Sequence, residues 1–274
     1  MYRTIMTVAD GEPRSLRRLQ CAAELARRFD AHLSVLAFGE LPMPAILAMA
    51  DDGGAMMAEV FTQNLRDAEA RAGRVEAELA REGVPFDVEP LAAMETGVAR
   101  LVGRLARFAD LVVLDQPGPD DAETAQGAAL HGALFEAGAP TLVLPPSAGL
   151  TQGRSALIAW DDSREALKAV RGAMPFLRAA SAIEIVVVDP DGDQATSSEG
   201  LALMLSRHGL SVGVSTIAPA GRSTSDLLRQ RIRDTSSDLL VMGAYGHSRL
   251  REAILGGVTA EILADAPAPV LMGR

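Results

Sequence analysis

The sequence predicts an α/β protein made of two tandem doubly wound domains, each a five-stranded parallel sheet. Three observations carry that expectation. Short apolar runs alternate with helix-length amphipathic segments along the chain, and strands that alternate with helices run parallel because a parallel neighbour needs a long crossover. Runs such as Leu111–Leu114 (LVVL) and Ile185–Val188 (IVVV) are apolar at every position, as strands covered on both faces are. The two halves also share landmarks. Ala109-Asp110-Leu111-Val112-Val113-Leu114 matches Ser237-Asp238-Leu239-Leu240-Val241-Met242, and Ala139-Pro140-Thr141-Leu142-Val143-Leu144 matches Ala268-Pro269-Val270-Leu271-Met272-Gly273. The chain reads as a duplication, with domains at 1–148 and 154–274.

In chain order, Tyr2–Val8 reads as a strand ending at Asp10-Gly11. Glu12–Asp30 reads as a helix with Leu16, Leu19, Ala23 and Ala26 at helical spacing, and His32–Phe38 as a second strand. Leu41–Val60 carries Pro42, Pro44, Gly53, Gly54 and four methionines; it is expected to be a loop covering the sheet, with a mobile lid or partner-binding surface as the alternative. Phe61–Glu82 reads as a helix stopped by Gly83, followed by a strand over Val84–Leu91, a helix over Thr96–Phe108 and a strand over Asp110–Leu114. Ala125–Ala137 is helical, and Thr141–Leu144 is the last strand of the half.

The second half repeats this order. Ala156–Trp160 is a strand followed by Asp161-Asp162-Ser163, Arg164–Leu177 a helix, and Ile183–Val188 a strand. Asp191–Glu199 is expected to be a polar loop and Leu201–His208 a helix stopped by Gly209. Leu210–Ile217 reads as a strand, Ser223–Thr235 as a helix capped by its serine, Leu239–Met242 as a strand, Val258–Ala264 as a helix and Pro269–Met272 as the final strand. The two final strands, Thr141–Leu144 and Pro269–Met272, are expected to meet as sheet edges, giving an internal pseudo-dimer; a homodimer is the alternative assembly.

Composition narrows the function classes. The 274 residues carry a net charge of −10, with 13 Lys+Arg against 22 Asp+Glu in 1–150 (−9) and 13 against 14 in 151–274 (−1). Neither half has the basic surface that nucleic-acid binding needs, and no apolar run is long enough to span a membrane. One cysteine, Cys21, fits a reducing compartment and reads as a core residue, so a cytoplasmic protein is expected. No Walker A lysine motif, nucleophile elbow or Cys/His pair is present, and the histidines show no metal-ligand spacing. No catalytic set and no metal site is expected.

The stretch Asp238–Thr259, DLLVMGAYGHSRLREAILGGVT, concentrates the chemistry. A buried strand runs into Gly243 and Gly246; Gly256, Gly257, Val258 and Thr259 follow at the start of a helix. Glycines let backbone approach a ligand closely, and a helix start attracts anions. Plain turn chemistry explains the same glycines. In doubly wound sheets ligands bind beyond the carboxyl ends of the strands, so Asp161, Val188 and the Gly243 loop are candidates to converge.

These residues resemble the universal stress proteins in their tandem two-domain form, over essentially the whole chain. The resemblance is strongest where IAWDDS ends a first strand and Gly243-x2-Gly246-x9-Gly256 follows. It implies an adenine nucleotide alpha hydrolase-like fold and a regulatory protein of the stress response that binds ATP or AMP, with magnesium as an accompanying ion, and acts through an unknown protein partner. By position, Asp161 would contact the nucleoside, Val188 would offer backbone to the base, and Met242, Gly243, Gly246, Gly256, Gly257, Val258 and Thr259 would wrap ribose and phosphates. Gly257 stands where the family's nucleotide binders carry Ser or Thr. The first half lacks the glycine pair, and Asp115, Asp120, Asp121 and Glu123 crowd the matching place, where like charges oppose phosphates; it reads as a degenerate partner. Asp10 stands there in the place of Asp161. The alternatives are a scaffold of the same fold that binds no nucleotide, and a slow ATPase.

Overall fold

The computed structural model describes residues 1–11, 13–41, 54–118, 125–146, 153–189, 192–244 and 257–274. Among them the apolar runs become ten strands: β1 (Thr4–Ala9), β2 (His32–Leu41), β3 (Phe86–Met94), β4 (Leu111–Asp115), β5 (Thr141–Leu144), β6 (Ser155–Ala159), β7 (Ala182–Val188), β8 (Gly213–Ile217), β9 (Leu239–Gly243) and β10 (Val270–Gly273). The helices between them are α1 (Pro13–Phe29), α2 (Gly54–Leu79), α3 (Glu95–Ala106), α4 (Ala125–His131), α5 (Arg164–Leu177), α6 (Gly192–Arg207), α7 (Thr224–Thr235) and α8 (Val258–Ala264). A π-helical segment, Gly132–Ala137, continues α4.

Contacts divide the chain into two compact units, Met1–Ala139 and Pro140–Arg274. In the first, the strand order is β3-β2-β1-β4, all parallel. In the second it is β5-β10-β9-β6-β7-β8, parallel except that β5 runs antiparallel to β10. Read from the third strand of each repeat, the order 3-2-1-4 recurs as 8-7-6-9. The expected meeting of the final strands is present, with Thr141 opposite Met272 and Val143 opposite Val270. This pairing draws β5 into the second unit, so the compact division falls between Ala139 and Pro140. The linker expected near 147–153 lies almost wholly outside the described residues.

The central strands are buried from end to end, which explains why their sequences do not alternate. Every residue of β4 and Leu239–Met242 of β9 are buried, whereas β8 is largely open, as an edge strand is. The aspartates shared by the two repeats do the same job in each unit. Asp110 Oδ2 accepts from the backbone N–H groups of Arg3 (2.6 Å) and Thr4 (3.0 Å), ahead of β1. Asp238 accepts from those of Arg154 (3.2 Å) and Ser155 (3.0 Å), ahead of β6. Each carboxylate satisfies donors at the amino end of a central strand, so this part of the repeat is architectural.

Three sequence expectations are corrected. The helix expected from Phe61 starts at Gly54, so residues 54–60 of the expected loop are helical; residues 42–53 lie outside the described set. The polar segment expected as a loop over 191–199 forms the first half of α6 from Gly192 onward. Leu16 is 51% exposed, whereas Arg18, two residues on, is completely buried. Cys21 is buried, and burial pushes its thiol pKa up, as suits a core residue.

Candidate functional site

In the second unit β6 lies between β7 and β9, and the chain turns to one side after β6 and to the other after β8. That makes the carboxyl end of β6 a topological switch point, where open α/β sheets place ligands. Ala159 pairs with Val186 on one side and with Met242 on the other. Val188 and Gly243 therefore end two strands, and Asp161 follows the strand between them, at nearly the same level. The structure brings these three together with Met242, which is buried at the end of β9.

The loop after β6 is held by its own polar groups. Trp160 N–H donates to Val186 O at 2.9 Å, extending the sheet by one residue. Asp161 Oδ1 accepts from Ser163 N–H (3.1 Å) and from its hydroxyl (2.6 Å). Ser163 is the N-cap of α5, its Oγ accepting from Ala166 N–H at 3.0 Å. Asp161 thus orients the capping serine through one oxygen while the residue remains exposed. Asp162 has a positive φ of 61°, uncommon for a non-glycine residue, and is held by the hydroxyl of Ser197. Ser197 accepts in turn from the indole N–H of Trp160 at 2.9 Å. This contact ties the second turn of α6 to the loop after β6.

Gly243 and Gly257 have distinct physical reasons to be glycine. A Cβ on Gly243 would lie 2.7 Å from Ala166 N and 3.1 Å from Glu165 C, so the first turn of α5 packs directly on the end of β9. Gly257, the N-cap of α8, has φ 107° and ψ 177°, a region open essentially to glycine alone, and a Cβ there would meet nothing within 4 Å. The missing hydroxyl at 257 is therefore matched to the backbone. Val258 is half-buried and Thr259 buried at the start of α8, on the carboxyl side of the sheet. Gly246 and Gly256, with His247, Arg249 and Arg251, lie outside the described residues. A pocket of about 270 Å³ opens beside the β6 loop between α5 and α6, walled by Trp160, Leu167, Leu201 and Met204. Val188, Gly243 and Gly257 do not line it, so it is a neighbour of the crevice rather than its centre.

The matching place in the first unit is filled. Asp10 follows β1, Asp115 ends β4, and Arg18 of α1 reaches between them, with side-chain exposures of 2%, 4% and 0%. Arg18 Nη2 donates to Asp10 Oδ2 (3.0 Å), Val8 O (2.9 Å) and Ser15 Oγ (3.2 Å); Nη1 donates to Asp115 Oδ2 and to Gln126 Oε1 (3.0 Å); Nε donates to Val8 O (3.2 Å). Arg17 adds a bond to Asp115 Oδ1 at 3.2 Å. Burial pushes the Asp115 carboxyl pKa up, and the charges of Arg18 and Arg17 pull it back in part. Asp115 was expected to repel phosphates as a bare charge; it is instead a buried, doubly paired one. Asp120, Asp121 and Glu123 are outside the described residues. Sequence reasoning passed over Arg18, although a signal was there: it falls on the stripe of Ala22, Leu25, Ala26 and Phe29, all buried.

No helix among the described residues is long and apolar enough to cross a membrane. A family model described as the universal stress protein family matches residues 154–274. The universal stress protein Slr1230 of Synechocystis is 30% identical over 172 residues, covering 60% of this chain and 58% of that protein, so the chain matches less than two thirds of that relative's length. A universal stress protein of Archaeoglobus fulgidus superposes with a TM-score of 0.75 at 15% identity, over 98% of this chain and 97% of that one. Another structure from Archaeoglobus fulgidus, a universal stress protein in complex with dAMP, covers 52% of this chain and 97% of that one at 17% identity and a TM-score of 0.36. Residues 154–274 are thus similar in sequence to the universal stress protein family, and the whole chain shares its fold with a solved universal stress protein.

Proposed function

We propose that the second unit binds an adenine nucleotide, ATP or AMP, and that the chain acts as a regulatory protein of the stress response through contacts with a protein partner. The carrying observation is the convergence of Asp161, Val188 and Gly243 at the ends of three adjacent strands around a switch point. Asp161 and Val188 would hold the nucleoside, and Met242, Gly243, Gly246, Gly256, Gly257, Val258 and Thr259 would enclose ribose and phosphates. Magnesium would be carried by the phosphates of ATP. In the first unit the Arg18 pairs fill the corresponding place, which supports one nucleotide per chain.

The single tryptophan, Trp160, sits beside Asp161 and supplies the test. Titration with ATP and magnesium, or with AMP, should change its emission saturably, and Gly246→Val should abolish the change by putting a side chain in the loop. Equilibrium dialysis should give one nucleotide per chain. No emission change together with no retained nucleotide at millimolar concentration would refute the reading. A second reading, a scaffold of the same fold that binds no nucleotide, is favoured by one specific observation: packing at Gly243 and backbone geometry at Gly257 explain both glycines without a ligand.

A further inference from the structure

We propose that Arg18 is a built-in occupant of the first unit's crevice, a side chain that stands where a ligand would otherwise sit and makes that unit's fold independent of any ligand. The inference does not depend on whether the second unit binds nucleotide.

The position carries the first part of the argument. β1 and β4 are parallel neighbours, and Asp10 and Asp115 stand at their carboxyl ends. That is the switch-point geometry of the second unit, where Asp161 and Gly243 stand. With Asp10 aligned on Asp161, Arg18 falls on Ala169, so at this position of the first helix the first unit carries a long cation where the second carries a methyl group.

Saturation carries the second part. All three guanidinium nitrogens are bonded, and the partners span both strand ends, the start of α1 and α4: Val8 O, Asp10, Ser15, Asp115 and Gln126. Gln126 closes the ring by donating its amide to Asp115 O at 3.2 Å. A guanidinium offers five donors in a fixed planar fork, and here the surroundings are built to that fork. Two carboxylates buried to this degree are tolerated only while a cation pairs them.

The cavity left by truncating Arg18 should therefore accept a free guanidinium. The test uses the full chain carrying Arg18→Ala, with ethylguanidinium chloride as the probe and tetramethylammonium chloride and urea as controls. The variant should melt about 10 °C below the wild type, as expected when one partner of a buried ion pair is removed. Amide exchange should accelerate in β1 and β4 and stay unchanged in β6 and β9. Millimolar ethylguanidinium should restore the melting temperature and the β1 and β4 protection saturably in Arg18→Ala, and leave the wild type unchanged. Recovery by tetramethylammonium or urea, an equal shift in the wild type, or no recovery would overturn the proposal. If Arg18→Ala does not fold unaided, refolding only when ethylguanidinium is present supports it, and failure in both conditions overturns it. The variant Arg18→Met with Asp10→Asn and Asp115→Asn carries no buried charge and should ignore ethylguanidinium; a response equal to that of Arg18→Ala would show a non-specific salt effect and also overturn the proposal.

Discussion

Replacing Gly243 with alanine should destabilise the second unit, for a reason that involves no ligand. The new Cβ would sit 2.7 Å from Ala166 N and 3.1 Å from Glu165 C, and both are backbone atoms in the first turn of α5. No rotamer change can relieve that contact, so the helix or the end of β9 must shift. Overpacking of this kind costs about 1–3 kcal/mol. The entropy that alanine removes from the unfolded chain offsets about 0.4–1 kcal/mol of it. The net loss of about 1–2 kcal/mol corresponds to a melting temperature lower by roughly 4 °C for a unit of this size. Gly200→Ala is the matched control. Gly200 lies inside α6 with nothing within 4 Å of a built Cβ, so the same change there should raise stability by about 0.5–1 kcal/mol. Thermal unfolding of both variants without nucleotide reads the two signs directly. A Gly243→Ala protein as stable as the wild type would refute the packing argument. If that protein had also lost the nucleotide response of Trp160, the glycine would be required by the ligand alone.

Three further outcomes follow from the geometry. Gly257→Ala should cost about 1–3 kcal/mol through its positive φ, and Gly257→Ser should cost less because its hydroxyl can cap α8; a serine variant more stable than the wild type would contradict the backbone requirement. Ser163→Ala removes the N-cap of α5 and the hydroxyl's hydrogen bond to Asp161 Oδ1, leaving the backbone N–H bond in place, and denaturant unfolding should show a loss of about 1 kcal/mol. Burial pushes the Glu184 carboxyl up, but the hydrogen bonds from Arg231 and Ser215 and the charge of Arg231 outweigh it and hold the pKa below the usual range. A depressed carboxylate contributes stability that is present above its unfolded pKa and lost as pH falls through its folded pKa. Glu184→Gln should therefore cost about 1 kcal/mol at neutral pH, a modest figure because Arg231 is 35% exposed, and the difference from the wild type should vanish in acid. A difference that persists unchanged into acid would show that shape, not charge, sets the pair's worth.

What could be read in the sequence was whatever local pattern determines. The runs at Leu111–Leu114 and Leu239–Met242 are apolar at every position because the sheet is covered on both faces, and no distant contact is needed to recognise them. The positions Asp161, Val188 and Gly243 were legible as a group because strand ends in a parallel sheet fall at one level. The first half of α6 was not legible, since Thr196, Ser197 and Ser198 favour turns when considered alone. It is helical in a setting where Trp160 reaches Ser197 from 37 residues away. Arg18 was missed for a related reason: an arginine reads as surface until two buried carboxylates from separate strands are seen to meet it. The reason for Gly257 was also hidden, because a missing hydroxyl reads as a lost contact, whereas the dihedral angles admit no side chain comfortably.

The antiparallel pairing of β5 with β10 bears on how the chain is made. Thr141 finds its partner at Met272, roughly 130 residues later. At synthesis rates of about 5–20 residues per second, β5 waits on the order of ten seconds for the strand it pairs with. During that interval Thr141–Leu144, buried at every position in the finished fold, presents an unpaired apolar edge. The nascent chain is therefore most exposed to mispairing with another copy of itself while the second repeat is still being translated, and the emergence of β10 closes that window.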